Sequence, residues 1–142
     1  MKLRSASLNA LVALALGAVL AVTLPAVLTA APDAKASLDG KSFAGESGEK
    51  GKPAMAEKDT IRFEKGRFRS VACDAYGFGD GAYTASAAGD GSVRWTAETA
   101  SPKEGRIQWQ GTVNGDRIEA TYVWTKAGQK PIEYWLKGTA QK

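Results

Sequence analysis

From Asp59 to Leu136 much of the chain alternates, position by position, between apolar and polar side chains. Ile61 and Phe63 alternate with Arg62 and Glu64, and Val93, Trp95 and Ala97 with Arg94, Thr96 and Glu98. Ile107, Trp109, Gly111 and Val113 are separated by Gln108, Gln110 and Thr112. The series continues through Ile118, Ala120, Tyr122 and Trp124 to Ile132, Tyr134 and Leu136. Successive side chains of an extended strand point to opposite faces, so a period of two means strands with one dry face and one wet face. No window beyond residue 37 carries a comparable helical period, and the fold class is all-β.

Turn residues fall between these runs. Asn114-Gly115 is a strong hairpin signal, because a type I′ turn needs positive φ at both central residues. A two-residue loop there would set Val113 opposite Asp116, Gly111 opposite Ile118, Trp109 opposite Ala120 and Ile107 opposite Tyr122. On the wet face it would pair Gln110 with Glu119 and Thr112 with Arg117. Gly89-Asp90-Gly91 reads as a three-residue loop that pairs Tyr83 with Ala97, Ala85 with Trp95 and Ala87 with Val93. A turn at Lys65-Gly66 would pair Phe63 with Phe68 but oppose Arg62 to Arg69, a repulsion that a bulge would relieve.

The expected strands are roughly 41–47, 59–64, 67–73, 82–88, 92–99, 105–113, 116–125 and 131–140. Residues 48–58, charged and containing Gly and Pro, read as a long flexible loop, whereas nearly every other connection is tight. An unbroken eight-stranded meander avoids exposed edges by closing on itself. A barrel is therefore expected, with an open sandwich as the alternative.

Ahead of this domain stands a different kind of sequence. Lys2 and Arg4 precede an uncharged run from residue 10 to residue 30, the pattern that the secretion machinery reads. Ala34-Lys35-Ala36 supplies small residues for cleavage, giving a signal peptide over 1–36 and a single barrel domain over 37–142. A run of this length also suffices for an uncleaved anchor, but its alanines, Pro25 and the cleavage motif favour removal, leaving no stable membrane anchor. The expected location is periplasmic or secreted. Cys73 is the sole cysteine, so no intrachain disulfide forms, and burial in the core is the expectation for its thiol. Of the formal charge of +4, half arises where Lys2, Arg4 and Lys35 outnumber Asp33. The remainder is too weak and too dispersed to argue for nucleic acid as a partner.

Histidine is absent from the sequence. That removes Ser-His-Asp and Cys-His catalysis and nearly every zinc site. The glycines of Gly77-Phe78-Gly79-Asp80-Gly81 lack the strand-to-helix context of a phosphate loop and read as a turn. Asp74 and Asp80 lack the spaced ligand set of a calcium loop. A carboxylate pair working as a glycosidase is ranked last. The expectation is a non-catalytic protein with no metal site and no cofactor.

Leu38-Asp39-Gly40-Lys41-Ser42-Phe43, followed by a short-looped eight-strand meander, resembles the calycin group of lipocalin-like and avidin-like barrels. Trp109-Gln110-Gly111-Thr112 and Leu136-Lys137-Gly138-Thr139 are similar to strands of small bacterial members. Phe43 stands where the lipocalin Gly-x-Trp places its tryptophan, and the paired cysteines of many lipocalins are missing. The resemblance implies an eight-stranded antiparallel up-and-down barrel with a ligand cup, and no family-specific binding residue.

Tyr83, Trp95, Trp109, Tyr122, Trp124 and Tyr134 all fall on the expected inner face, either as plain core or as the lining of a pocket for a small apolar or amphipathic ligand. Ala85, Ala97, Gly111 and Ala120 face them and either leave room for a guest or merely admit the indoles. Tyr76 and Phe78, in a Gly-rich connection, and Trp135, on the outer face, are candidate contacts for an envelope protein. For Tyr76 and Phe78 the alternative is a cap on one barrel end. The functional expectation is an exported ligand-binding protein. The alternative is a protein-binding module or an inhibitor of an envelope enzyme acting through exposed loops.

Overall fold

The computed structural model describes residues 33–142, and the signal segment read from residues 1–32 lies outside them. Eight antiparallel strands close in simple sequence order into a barrel. They are β1 (Ser42–Glu49), β2 (Glu57–Glu64), β3 (Arg67–Ser70), β4 (Asp80–Ala87), β5 (Val93–Ser101), β6 (Gly105–Asn114), β7 (Arg117–Thr125) and β8 (Ile132–Ala140). β8 pairs back onto β1, with Phe43 opposite Ala140 and Glu49 opposite Tyr134. The alternation is clearest along β5 to β7, where Trp95, Ala97, Ile107, Trp109, Val113, Ile118, Ala120 and Tyr122 are buried between exposed or half-buried neighbours, and Leu136 is buried on β8.

A short helix, α1 (Ala34–Leu38), closes the end where β2 turns into β3. Asp33 caps it by accepting from the Lys35 N–H, and Leu38 is fully buried. The Tyr83 hydroxyl lies 2.6 Å from the Asp39 carboxylate and 2.9 Å from the Lys35 carbonyl, and the Gly66 N–H donates to the same carboxylate. The bond after Ala36, read from sequence as the cleavage point, lies inside α1. A cut there would remove the Lys35 carbonyl and leave Leu38 and Asp39 in the chain.

Residues 89–91 form the expected loop, with Tyr83 opposite Ala97 and Ala87 opposite Val93. The β6–β7 hairpin differs. Its register sets Trp109 opposite Tyr122, Gly111 opposite Ala120, Val113 opposite Ile118 and Ile107 opposite Trp124. On the wet face Gln110 meets Thr121 and Thr112 meets Glu119. The turn is centred on Gly115-Asp116, and only Gly115 takes positive φ, at 58°. A shift of two positions keeps every face, which is why the alternation alone could not detect it. Packing selects this register. A Cβ at Gly111 would lie 2.7 Å from the Trp95 ring and 2.8 Å from the Ala120 Cβ, so two small residues must meet where the indole passes.

At Lys65-Gly66 no bulge forms. Both residues take positive φ, and Arg62 does stand opposite Arg69. The repulsion is met differently, because Arg69 donates to both Asp74 oxygens at 3.0 Å and is neutralised there. β3 also ends three residues earlier than expected, at Ser70. The buried Asp59 carboxylate accepts from the Ser70 hydroxyl at 2.6 Å and from the Ala72 N–H at 3.0 Å, drawing the chain out of the sheet into a 3-10 helix, Ala72–Tyr76. The loop expected over 48–58 is shorter than read, since β1 runs to Glu49 and β2 begins at Glu57. Its residues include the 3-10 turn Pro53–Met55 and a link from the Lys50 N–H to the Glu133 carbonyl.

Candidate functional site

The barrel interior is divided along its axis. Towards the α1 end it is solid with rings. Phe63 meets Phe43, Phe68, Tyr83 and Trp95 edge-on, and Phe68 stacks on Trp95 at 5.1 Å. Trp109 continues the series, 4.9 Å from Phe68 and 4.0 Å from Tyr122. Such contacts add attraction to the apolar area they bury. Tyr83, Trp95 and Trp109, three of the six candidate lining residues, belong to this packed half. The Trp109 indole N–H donates to Thr99 at 3.1 Å, whereas the buried Trp95 indole N–H finds no acceptor among the described residues.

The other half is hollow. A cavity of about 300 Å³ opens at the end opposite α1, and Tyr122, Trp124 and Tyr134 line it. Ile107, Phe78, Cys73 and Ala72 complete its apolar wall, while Met55 and Tyr76 stand at the rim. The Tyr122 hydroxyl donates to Ser47 at 3.2 Å and the Trp124 indole N–H to the Glu104 carbonyl at 2.5 Å, so both rings are held from behind. Burial raises the Tyr122 and Tyr134 phenols above their ordinary pKa, so both remain neutral hydroxyls.

Three strands show why the interior changes character. Along the inner face of β2 the residues run Phe63, Ile61, Asp59 and Glu57, from α1 to the mouth. Along β1 they run Phe43, Gly45, Ser47 and Glu49. On β7 the rings of Tyr122 and Trp124 follow Ile118 and Ala120. Apolar rings therefore fill one half, and carboxylates, hydroxyls and phenols border the other.

The 3-10 helix Ala72–Tyr76 is pinned at both ends over the mouth. Asp59 holds its start, and the Ser101 hydroxyl donates to the Tyr76 carbonyl at 2.8 Å. Cys73 is thereby half-buried in the cavity wall, and burial pushes its thiol up to about 11. Burial likewise raises the Asp59 carboxyl above its usual 3.8, against the opposing pull of the hydrogen bonds made to it.

The three candidate partner-contact residues separate. Tyr76 is 59% exposed at the rim. Phe78 is buried and lines the cavity, so it caps the barrel end and offers no free surface. Trp135 lies on the outer face, where a Cβ at its partner Gly48 would come within 3.1 Å of the indole.

Sequence reasoning missed Ser47, Glu49, Glu57, Asp59, Glu104 and Ile107 as lining residues. For Glu57 and Asp59 the signal existed, since the alternation of Phe63 and Ile61 extended backwards places both inside. Residue 57 fell instead within the loop expected over 48–58.

An antiparallel eight-stranded barrel, plugged by a helix at one end and hollow at the other, defines the class: a cup-bearing up-and-down β-barrel. No family model, curated protein or solved structure matches this chain, so the class rests on fold and cavity.

Proposed function

We propose that this protein is an exported, non-catalytic, lipocalin-like binding protein that holds one small apolar or amphipathic molecule in the open half of its barrel. The half-filled interior carries the reading: rings pack the α1 end, and a cavity of about 300 Å³ follows at the mouth. An eight-stranded barrel is just wide enough either to fill with side chains or to hold one small ligand. This volume lies at the lower end of the range for ligand pockets. Apolar walls with a few fixed hydroxyls suit a guest that is mostly hydrocarbon or aromatic with a polar tip. The thiol in the wall is poorly ionised and no histidine is present, which favours binding over catalysis. The basic head and apolar run of residues 1–36 support export.

Trp124 in the wall offers a direct readout. Titration with chemically varied lipophilic probes should change tryptophan emission saturably at one site per chain. No response from any of them would refute the cup. Cell fractionation with N-terminal sequencing of the recovered protein tests export.

Exposure of Tyr76 (59%) and Met55 (70%) at the rim favours a second reading, in which the mouth presents these side chains to an envelope protein. Tyr76→Ala would then abolish partner capture from envelope extract, whether or not a small molecule occupies the cup.

A further inference from the structure

The cavity wall carries an uneven charge. Glu49, Glu57, Asp59 and Glu104 line it, and among the described residues no lysine or arginine does. Two of these are matched from outside the cavity: Lys52 sits 2.9 Å from Glu49, and Lys126 sits 2.8 Å from Glu104. Glu57 and Asp59 have no cationic partner among the described residues. They are two positions apart on the inner face of β2, with Asp59 deeper and Glu57 at the mouth.

We infer that the guest is a cation, a protonated amine or quaternary ammonium joined to an apolar body. This deepens the ligand-cup reading and rests on it. The Asp59 carboxylate accepts two hydrogen bonds, from Ser70 and Ala72, and so keeps acceptor capacity for a third group. Tyr134 and Trp124 supply π faces, which attract ammonium groups and do so more strongly once water is displaced. A neutral guest would shut water away from the Asp59 carboxylate and offer it no counter-charge. An anionic guest would add like-charge repulsion in a recess that concentrates the field of its walls. The raised Asp59 carboxyl is consistent with a buried acid awaiting a counter-ion.

Three probes of one shape separate charge from fit: benzyltrimethylammonium, its uncharged isostere neopentylbenzene, and the anion phenylmethanesulfonate. Affinities are measured calorimetrically on the full mature protein at low ionic strength. The cation is expected to bind at least about tenfold more tightly than the neutral isostere, with the anion weakest. Added salt should weaken the cation alone. Glu57→Gln, at an exposed position that folding tolerates, should narrow the preference, and Glu57→Gln with Asp59→Asn should erase it. Equal or tighter binding of the neutral or anionic probe overturns the inference and leaves the cup standing, as does a preference unchanged in the double variant. If none of the three probes binds and lipophilic dyes are also silent, cup and charge fall together.

Discussion

Tyr122 and Tyr134 lie face to face across the β7–β8 pair, their rings 3° from parallel with centroids 4.8 Å apart. Tyr122 is the fixed member, stacked on Trp109 and bonded to Ser47. Tyr134 is half-buried and forms the cavity-side leaf. The pair marks the boundary at which the ring-packed interior gives way to open space.

An aromatic probe in the cup should therefore lose ring contact when this leaf is removed. Ring pairs contribute about 0.5–1.5 kcal/mol beyond area burial. Tyr134→Leu is expected to weaken an aromatic probe by roughly threefold to tenfold while leaving an aliphatic probe of similar size little changed. Parallel titrations of the two probes check it; equal losses would show that the ring contributes only bulk.

Asp59 gives the fold a pH signature. Burial raises its carboxyl above 3.8, so the folded state favours the protonated form. Stability from this source is fully present below the unfolded value and is lost as pH rises through the raised one. Asp59→Asn stays neutral and retains an acceptor for the Ala72 N–H. Denaturant midpoints taken across this window should show the variant gaining on the wild type as pH rises. Parallel curves would contradict the assignment.

Cys73 should be a sluggish nucleophile. Its thiol is pushed up to about 11, chiefly by burial, and the thiolate is the reactive form. Reaction with a disulfide reagent at neutral pH is expected to run roughly a hundredfold slower than for a free cysteine, and to recover in denaturant. A bound probe should slow it further, because Cys73 lines the cavity. Fast labelling of the native protein would count against the described wall.

The two deepest indoles differ in one bond. Trp109 donates to Thr99 and Trp95 donates to nothing described. An unsatisfied buried donor costs about 1–3 kcal/mol, and a satisfied one contributes about 1 kcal/mol. Trp95→Phe and Trp109→Phe open similar voids, so Trp95→Phe should be the more stable by at least about 1 kcal/mol. Chemical denaturation of both variants decides the matter, and the reverse order would mean that the Trp95 N–H is satisfied in solution.

Much of this was legible in residue order, and the reason is local. A strand's two faces follow from the pleat, so the inward placement of Trp95, Trp109, Tyr122 and Leu136 could be read without knowing any neighbour. The loop at 89–91 and the turn at Lys65-Gly66 were readable for the same reason, since turn chemistry is set by a few adjacent residues. Tertiary contacts decided the rest. The β6–β7 register depends on where the Trp95 ring crosses Gly111, and Trp95 is on a third strand. β3 ends where it does because Asp59, on another strand, captures Ser70 and Ala72. Whether an inward ring packs or lines a cup is likewise a matter of height along the barrel axis. That height is fixed by the stagger of all eight strands and by the helix plugging one end.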